Sequence, residues 1–223
     1  MPKREPSGEK TPPGLSRLPP GRHGLSREFV TKNQRDRITA GMIATVAEHG
    51  YNAATISQIA EAAGVSRKTF YKYYSGKEEC FRATYQLIAD HLEAAGRAAA
   101  DGEGEWPDKV RARIVAVLDA FAANPDLVTF TMIAPRVAGG EPADFYRSEL
   151  GRALALLTED LPVAASRPSA AAEESLIGAV SGLVVREVRA GRGGELPALL
   201  PDLLELVLAP YLGREEAAKA ALR

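Results

Sequence analysis

One cysteine, Cys80, and three histidines, His23, His49 and His91, are all the thiol and imidazole side chains this 223-residue chain holds. A lone cysteine excludes an intramolecular disulfide. Its place on the apolar side of an expected helix makes it a buried thiol in a reducing compartment, the cytoplasm being the simplest home. The histidines lie far apart, with no cysteine or carboxylate at ligand spacing, so neither a metal nor another cofactor is expected. There is no Walker phosphate loop and no G-x-S-x-G elbow. The glycines at 191, 193 and 194 follow a helical pattern, not a strand, which removes the common signs of an enzyme. Long apolar runs are also missing. The most apolar stretch, Leu196 to Leu212, contains Pro201, Asp202 and Glu205, and the first 25 residues lack an apolar core, so neither a membrane span nor a secretory signal is expected. Alternating strand patterns bounded by hairpin turns do not occur, which leaves an all-α fold.

What the chain does have is unevenly placed. The formal net charge is -1, yet residues 1–91 hold 14 Lys+Arg against 9 Asp+Glu, and residues 92–223 hold 14 against 20. The positive half is the one suited to a phosphate backbone. Residues 1–25, rich in Pro, Gly, Arg and Lys, read as a flexible basic tail. Either it stays disordered, or Arg17, Arg22 and His23 form an arm along DNA.

The stretch Thr55–Lys77, TISQIAEAAGVSRKTFYKYYSGK, organises the rest. Thr55 with Gln58 forms a capping box that starts a short helix, carried by Ile56, Ile59, Ala60 and Ala63 and stopped by Gly64. Ser66 caps a second helix, and Val65 can staple onto Phe70. At about 100° per residue, Phe70 and Tyr74 face a core while Lys68 and Lys72 face outward, flanked by Thr69 and Tyr71. Ser26 caps a short lead-in and residues 31–49 form a first long helix on Ile38, Met42 and Val46. Ser75 with Glu78 is read as a further capping box, starting a long helix to about Ala100 on Phe81, Tyr85, Ile88 and Leu92.

The run T-x-x-x-I-A-x-x-A-G-V-S-x-x-T-F-Y-x-Y-Y-x-x-K-E at Thr55 to Glu78 resembles the N-terminal signature of TetR-type transcriptional regulators, with Tyr73 and Tyr74 where His and Phe are usual. The resemblance implies a helix-turn-helix DNA-binding domain at 26–76, joined by the long helix to a ligand-binding and dimerisation domain at 77–223. Carried over residue by residue, it implies that Thr55, Ser66, Thr69, Tyr73 and Lys77 hold the phosphate backbone of double-stranded DNA while Arg67, Lys68 and Tyr71 face bases. The chemistry agrees. Arg67 and Lys68 can donate to guanine, Lys72 can reach bases or phosphate, and Tyr71 can lie against a thymine methyl. The alternative is a basic face serving another anionic partner.

Beyond residue 101 the turn-rich DGEGEWP is expected as a loop, followed by helices at 108–123, 127–137, 143–161, 169–190 and 196–212. In the last pair, Leu176, Val180, Leu183, Val184, Leu199, Leu203 and Leu206 are expected to form a homodimer interface, because the final helix is apolar nearly all round. A single small reader also needs a second copy to reach a palindromic operator. The same residues could instead complete the monomer's core. For a small apolar or aromatic effector, the resemblance implies a pocket inside the C-terminal helices. Tyr85, His91, Trp106, Phe121, Phe130, Met132 and Phe145 are its candidates, each of which could equally be packing. The expectation is a ligand-responsive repressor, with an activator of the same type or a helical interaction protein as alternatives.

Overall fold

In the computed structural model, residues 27–163 and 167–222 are described; the expected tail over 1–25 and Ser26 lie outside them. Every regular element among the described residues is helical. The first helix, α1 (Arg27–His49), runs without a break, so the expected lead-in and the helix at 31 are one element. No glycine or proline stands between Ser26 and Thr31 to divide them.

Helices α2 (Ile56–Ala62) and α3 (Arg67–Tyr73) sit where their caps require. The Thr55 hydroxyl accepts from the Gln58 N–H at 3.3 Å, and the Thr55 N–H donates to the Gln58 side chain at 2.9 Å. Ser66 accepts from the Thr69 N–H at 3.0 Å. Between the helices Gly64 adopts φ +61, open to glycine and strained for other residues.

Two residues of α1 fix the crossing with this pair. Gly41 lies so close to α2 that a Cβ would stand 2.7 Å from the Ile59 carbonyl oxygen and 2.8 Å from the Ala63 nitrogen. Arg37, buried, donates to the Ala63 and Gly64 carbonyls at 2.5 and 2.6 Å, satisfying the end of α2.

The linking helix α4 (Lys77–Ala100) begins later than expected. Gly76 is its N-cap, and Ser75 pairs with Glu79 instead of Glu78, donating from its N–H and hydroxyl at 2.7 and 2.6 Å. The extended Gly76 shifts the register by one residue. Next, α5 (Trp106–Ala123) starts inside the expected loop, because Glu105 and Asp108 form a reciprocal box and Pro107 occupies the first turn, where its missing N–H costs nothing.

The stretch expected at 127–137 is α6 (Asp126–Val128), a π-helical turn (Thr129–Ile133) and α7 (Ala134–Ala138). The Ala134 N–H reaches back five residues to Thr129, and Pro135 brings no N–H to restore the tighter ladder. Gly139 at φ +67 ends the run. Then come α8 (Gly140–Thr158) and α9 (Ala170–Arg189), the latter capped by Ser169. A 3-10 segment (Gly193–Leu199) leads into α10 (Leu200–Leu212), and α11 (Arg214–Ala221), absent from the sequence reading, follows it.

Apolar side chains form two clusters. One joins α1–α3 and the first half of α4 to Phe130, Ala134 and Tyr146. The other packs α5, α9, α10 and α11 around Leu118, Leu196, Leu204 and Leu208. The reading module's core is therefore continuous with α4 and with the helices that follow, not closed at residue 76. Among the described residues no single helix is long and apolar enough to cross a membrane. The one pair that passes by composition, Trp106–Ala123 with Asp126–Ala138, is bent by 106°.

Candidate nucleic-acid interface and ligand cavity

Helix α3 presents one free face. Phe70 is fully buried, tilted against Tyr74, and holds the helix by its inner side. On the outer side Arg67, Lys68 and Lys72 are exposed, and Tyr71 keeps 55% of its surface open. A large ring left in water between cations suits a base edge or sugar, as the sequence implied. Thr55 and Ser66 are exposed and Thr69 half-buried, each already engaged in its cap. Their hydroxyls fix α2 and α3 first and meet phosphate second.

Tyr73 and Lys77 are held by the protein itself. The Tyr73 hydroxyl donates to Gln34 on α1 at 2.6 Å, and its ring lies 5.1 Å from the Lys72 ammonium and 5.7 Å from the Arg35 guanidinium. Lys77, expected to hold phosphate, donates to the carbonyls of Tyr51, Asn52 and Ala54 at 2.8, 3.5 and 3.0 Å and sits 4.4 Å from the Tyr51 ring centre. An ammonium has three N–H donors, and all three have carbonyl partners, so Lys77 anchors the turn between α1 and α2.

Tyr74 takes its core position with 8% of its surface exposed. Burial pushes its phenol up, and a hydrogen bond with Thr39 pulls the other way. Cys80 is fully buried, and burial pushes its thiol up to about 12, so it stays protonated and inert.

A cavity of about 200 Å³ lies among α4, α5, the π turn, α8, α9 and α10. Of the expected ligand residues, Tyr85, Phe121 and Met132 line it. Trp106 does not: its indole N–H donates to the Leu157 carbonyl at 2.9 Å and its ring packs edge-on against Tyr211. Phe130 is fully buried against Phe81, Phe145 backs Tyr85 from outside, and exposed His91 bonds the Leu87 carbonyl through Nδ1 at 2.6 Å. The rest of the wall is mostly aliphatic, with Ile88, Leu92, Val117, Leu156 and Ile177, and Tyr146, Glu93, Glu149 and Arg152 also reach it. Burial pushes the Tyr85 phenol well up.

The polar part of the wall was missed by the sequence reading. Arg113 of α5 is 4% exposed, and one end of its guanidinium pairs with Asp160, with Glu159 at 3.6 Å. Its Nε and Nη1 are buried without a hydrogen-bond partner among the described residues. Each such orphan costs about 1–3 kcal/mol. The signal was readable: Val110, Arg113, Ile114 and Val117 follow i, i+3, i+4, i+7, which puts the arginine on the apolar stripe.

Arg152 joins α8 to Asp90 and Glu93 of α4 and to Glu149, and Arg97 joins Glu93 to Glu159. Hydrogen bonds from Arg113, chiefly, and Lys109 hold the Asp160 carboxyl below its ordinary range, and Arg152, chiefly, with Arg97 holds the Glu93 carboxyl below its own. No group of three or more His, Cys, Asp or Glu suited to a metal occurs among the described residues.

The expected interface residues divide. Leu176, Val184, Leu199 and Leu203 are buried in the chain's own core, whereas Val180, Leu183 and Leu206 are half-buried. The apolar girth of α10 is also answered within the chain, since α11 packs along it with Ala217 and Ala221. That girth alone therefore requires no second subunit. On the outer face of α9, Gly178 and Gly182 have open space where a side chain would stand.

Residues 38–84 match the profile of bacterial regulatory proteins, tetR family. The chain is 30% identical over 112 residues to the HTH-type transcriptional activator FasR of Mycolicibacterium smegmatis, a match covering 50% of this chain and 48% of that protein. It thus spans about half the length of that curated relative. Among solved structures, the fatty acid degradation regulator FadR of Bacillus halodurans is similar at TM-score 0.70 and 25% identity, covering 78% of this chain and 97% of its own. FadR of Bacillus subtilis, solved with stearoyl-CoA, is similar at TM-score 0.66 and 18% identity, covering 80% and 98%. The signature of α2 and α3, the matched profile and these likenesses agree: residues 38–84 carry the DNA-binding module of the TetR family of bacterial regulatory proteins, and the described helices share the fold of its solved members.

Proposed function

We propose that this chain is a ligand-responsive transcriptional regulator that binds a palindromic operator as a homodimer and is released by an effector carrying a flexible acyl chain. The observation that carries the reading is the double role of α4. Only three residues separate it from the end of α3, and its side chains Tyr85, Ile88, Ala89, Leu92 and Glu93 wall the cavity. A ligand there touches the same rigid element that sets the pose of the reading helix. Ligand binding becomes regulation if the ligand fits better the arrangement in which the two readers miss their half-sites.

The aliphatic wall favours an alkyl chain over a flat aromatic effector, and the FadR structure of Bacillus subtilis holds stearoyl-CoA. Arg67, Lys68, Tyr71 and Lys72 are the residues proposed to meet DNA directly. A dimer follows from reach, because one short reading helix covers too few base pairs, whereas two copies read half-sites about 34–36 Å apart. The outer face of α9 around Gly178 and Gly182, with Val180, Leu183 and Leu206 at its edge, is its proposed contact. Repression is the proposed outcome. The FasR relative is described as an activator, and the same reading head serves either sign according to where the operator lies relative to the promoter. The place of work is the cytoplasm, where the DNA is.

A protection assay across DNA flanking the protein's own gene tests this reading. One symmetric footprint, lost on adding lauroyl-CoA, is expected. A protein that is folded yet protects no DNA sinks it, and the basic module would then serve another polyanion.

A further inference from the structure

Arg113 stands in two places at once. It lines the apolar cavity, and it also lines a more open cleft of about 470 Å³ on the outside, between the end of α4, the start of α5 and the turn after α8. The cleft's other charged walls are Arg97, Lys109, Asp101, Glu159 and Asp160. A buried guanidinium between the apolar cavity and the open cleft has Nε and Nη1 without a hydrogen-bond partner among the described residues. The Arg113 methylenes lie against Gly96 of α4, beside Leu156.

We infer that Arg113 is the head-group anchor of the effector site. The ligand is an acyl compound whose hydrocarbon chain fills the cavity and whose carbonyl or carboxylate oxygen accepts from Arg113 after a small turn of the guanidinium, the rest of the head lying in the outer cleft. This rests on the acyl reading above and adds the residue, the polarity and the orientation. It also gives the ligand a handle on the fold. Glu159 and Asp160 now hold Arg113, and Glu159 is shared with Arg97 of α4. A head group that takes Arg113 draws it from these carboxylates and loosens the tie between α4 and the end of α8.

The test compares lauric acid, lauroyl-CoA and dodecanol by calorimetry on the full chain. The wild type binds the first two at least about 10-fold tighter than dodecanol, since a hydrogen bond to a charged donor is stronger than one between neutral groups. R113M loses about 30-fold for both carbonyl ligands and stays within about threefold for dodecanol. D160N, which frees a further guanidinium edge, binds lauric acid several-fold tighter, a gain that a merely structural arginine does not produce. If lauric acid and lauroyl-CoA fit equally, only the carbonyl is read; if the coenzyme A ester alone binds, its polar arm in the outer cleft is required, and both outcomes keep the anchor. Equal affinity of the three ligands for the wild type, or a folded R113M that binds lauric acid as the wild type does, overturns it. Should R113M fail to fold, the head-group comparison and D160N decide. Binding of none of the three by the wild type overturns the acyl reading itself and this inference with it, while binding without head-group preference removes only the anchor.

Discussion

Gly41 illustrates what a single residue decides in this protein. A methyl group there would press on the backbone of α2 at Ile59 and Ala63, and backbone cannot swing away as a side chain can. Gly41→Ala is therefore expected to destabilise the module by about 1–3 kcal/mol, read as a lower denaturant midpoint, and to weaken DNA binding by tilting α2 and α3. Lys68 and Lys77 should separate two other roles. Lys68→Ala relaxes preference at one operator position by about 1–3 kcal/mol while leaving stability unchanged. Lys77→Met lowers affinity for all sequences alike, and because its ammonium joins the Tyr51, Asn52 and Ala54 carbonyls it lowers the melting temperature as well. Cys80, held protonated by a pKa pushed up to about 12, should resist iodoacetamide at neutral pH and react only on unfolding. The caps at Thr55 and Ser66 were legible in the sequence because cap chemistry is local. Gly41, Arg37 and the anchoring role of Lys77 were not, since each depends on how close two helices come, and spacing along one helix does not encode a distance to another.

At the scale of the element, two carboxylates with pKa values below their ordinary ranges tie helices together, Glu93 of α4 to Arg152 of α8 and Asp160, just after α8, to Arg113 of α5. A lowered folded-state pKa contributes stability that is present above the unfolded value and lost as pH falls through the folded one. The melting temperature should thus hold at neutral pH and begin to drop below about pH 4. In D160N the part of that drop belonging to Asp160 should be absent, and a profile identical to the wild type would deny the pair its role. The register of α4 shows how sequence reading slips. Ser75-x-x-Glu78 has the form of a box, but the extended Gly76 moves the start to Lys77 and gives the serine to Glu79. Helix α11 was missed because its buried face is made of alanine, which carries little amphipathic signal, and α10 consequently looked bare on a side that α11 covers.

For the whole molecule, the all-helical class and the order of elements were readable because caps, glycines and prolines punctuate the chain. The cavity was only partly so. Aromatic residues were the expected lining, and Tyr85 and Phe121 do line the wall, yet Trp106, Phe130 and Phe145 pack elsewhere, and most of the wall is aliphatic, with the buried Arg113 among its polar groups. Residue type alone does not tell a ring that faces a void from one that fills it. The central claim is that the reader and the cavity share α4, so that occupying one changes the other. Its most direct measurement is fluorescence anisotropy of a labelled duplex bearing the protected site, titrated with lauroyl-CoA at a concentration where calorimetry shows the protein saturated. The account predicts that anisotropy falls to the value of free DNA and that, by linkage, operator DNA weakens lauroyl-CoA binding by the same factor. Unchanged anisotropy at full ligand occupancy would contradict it.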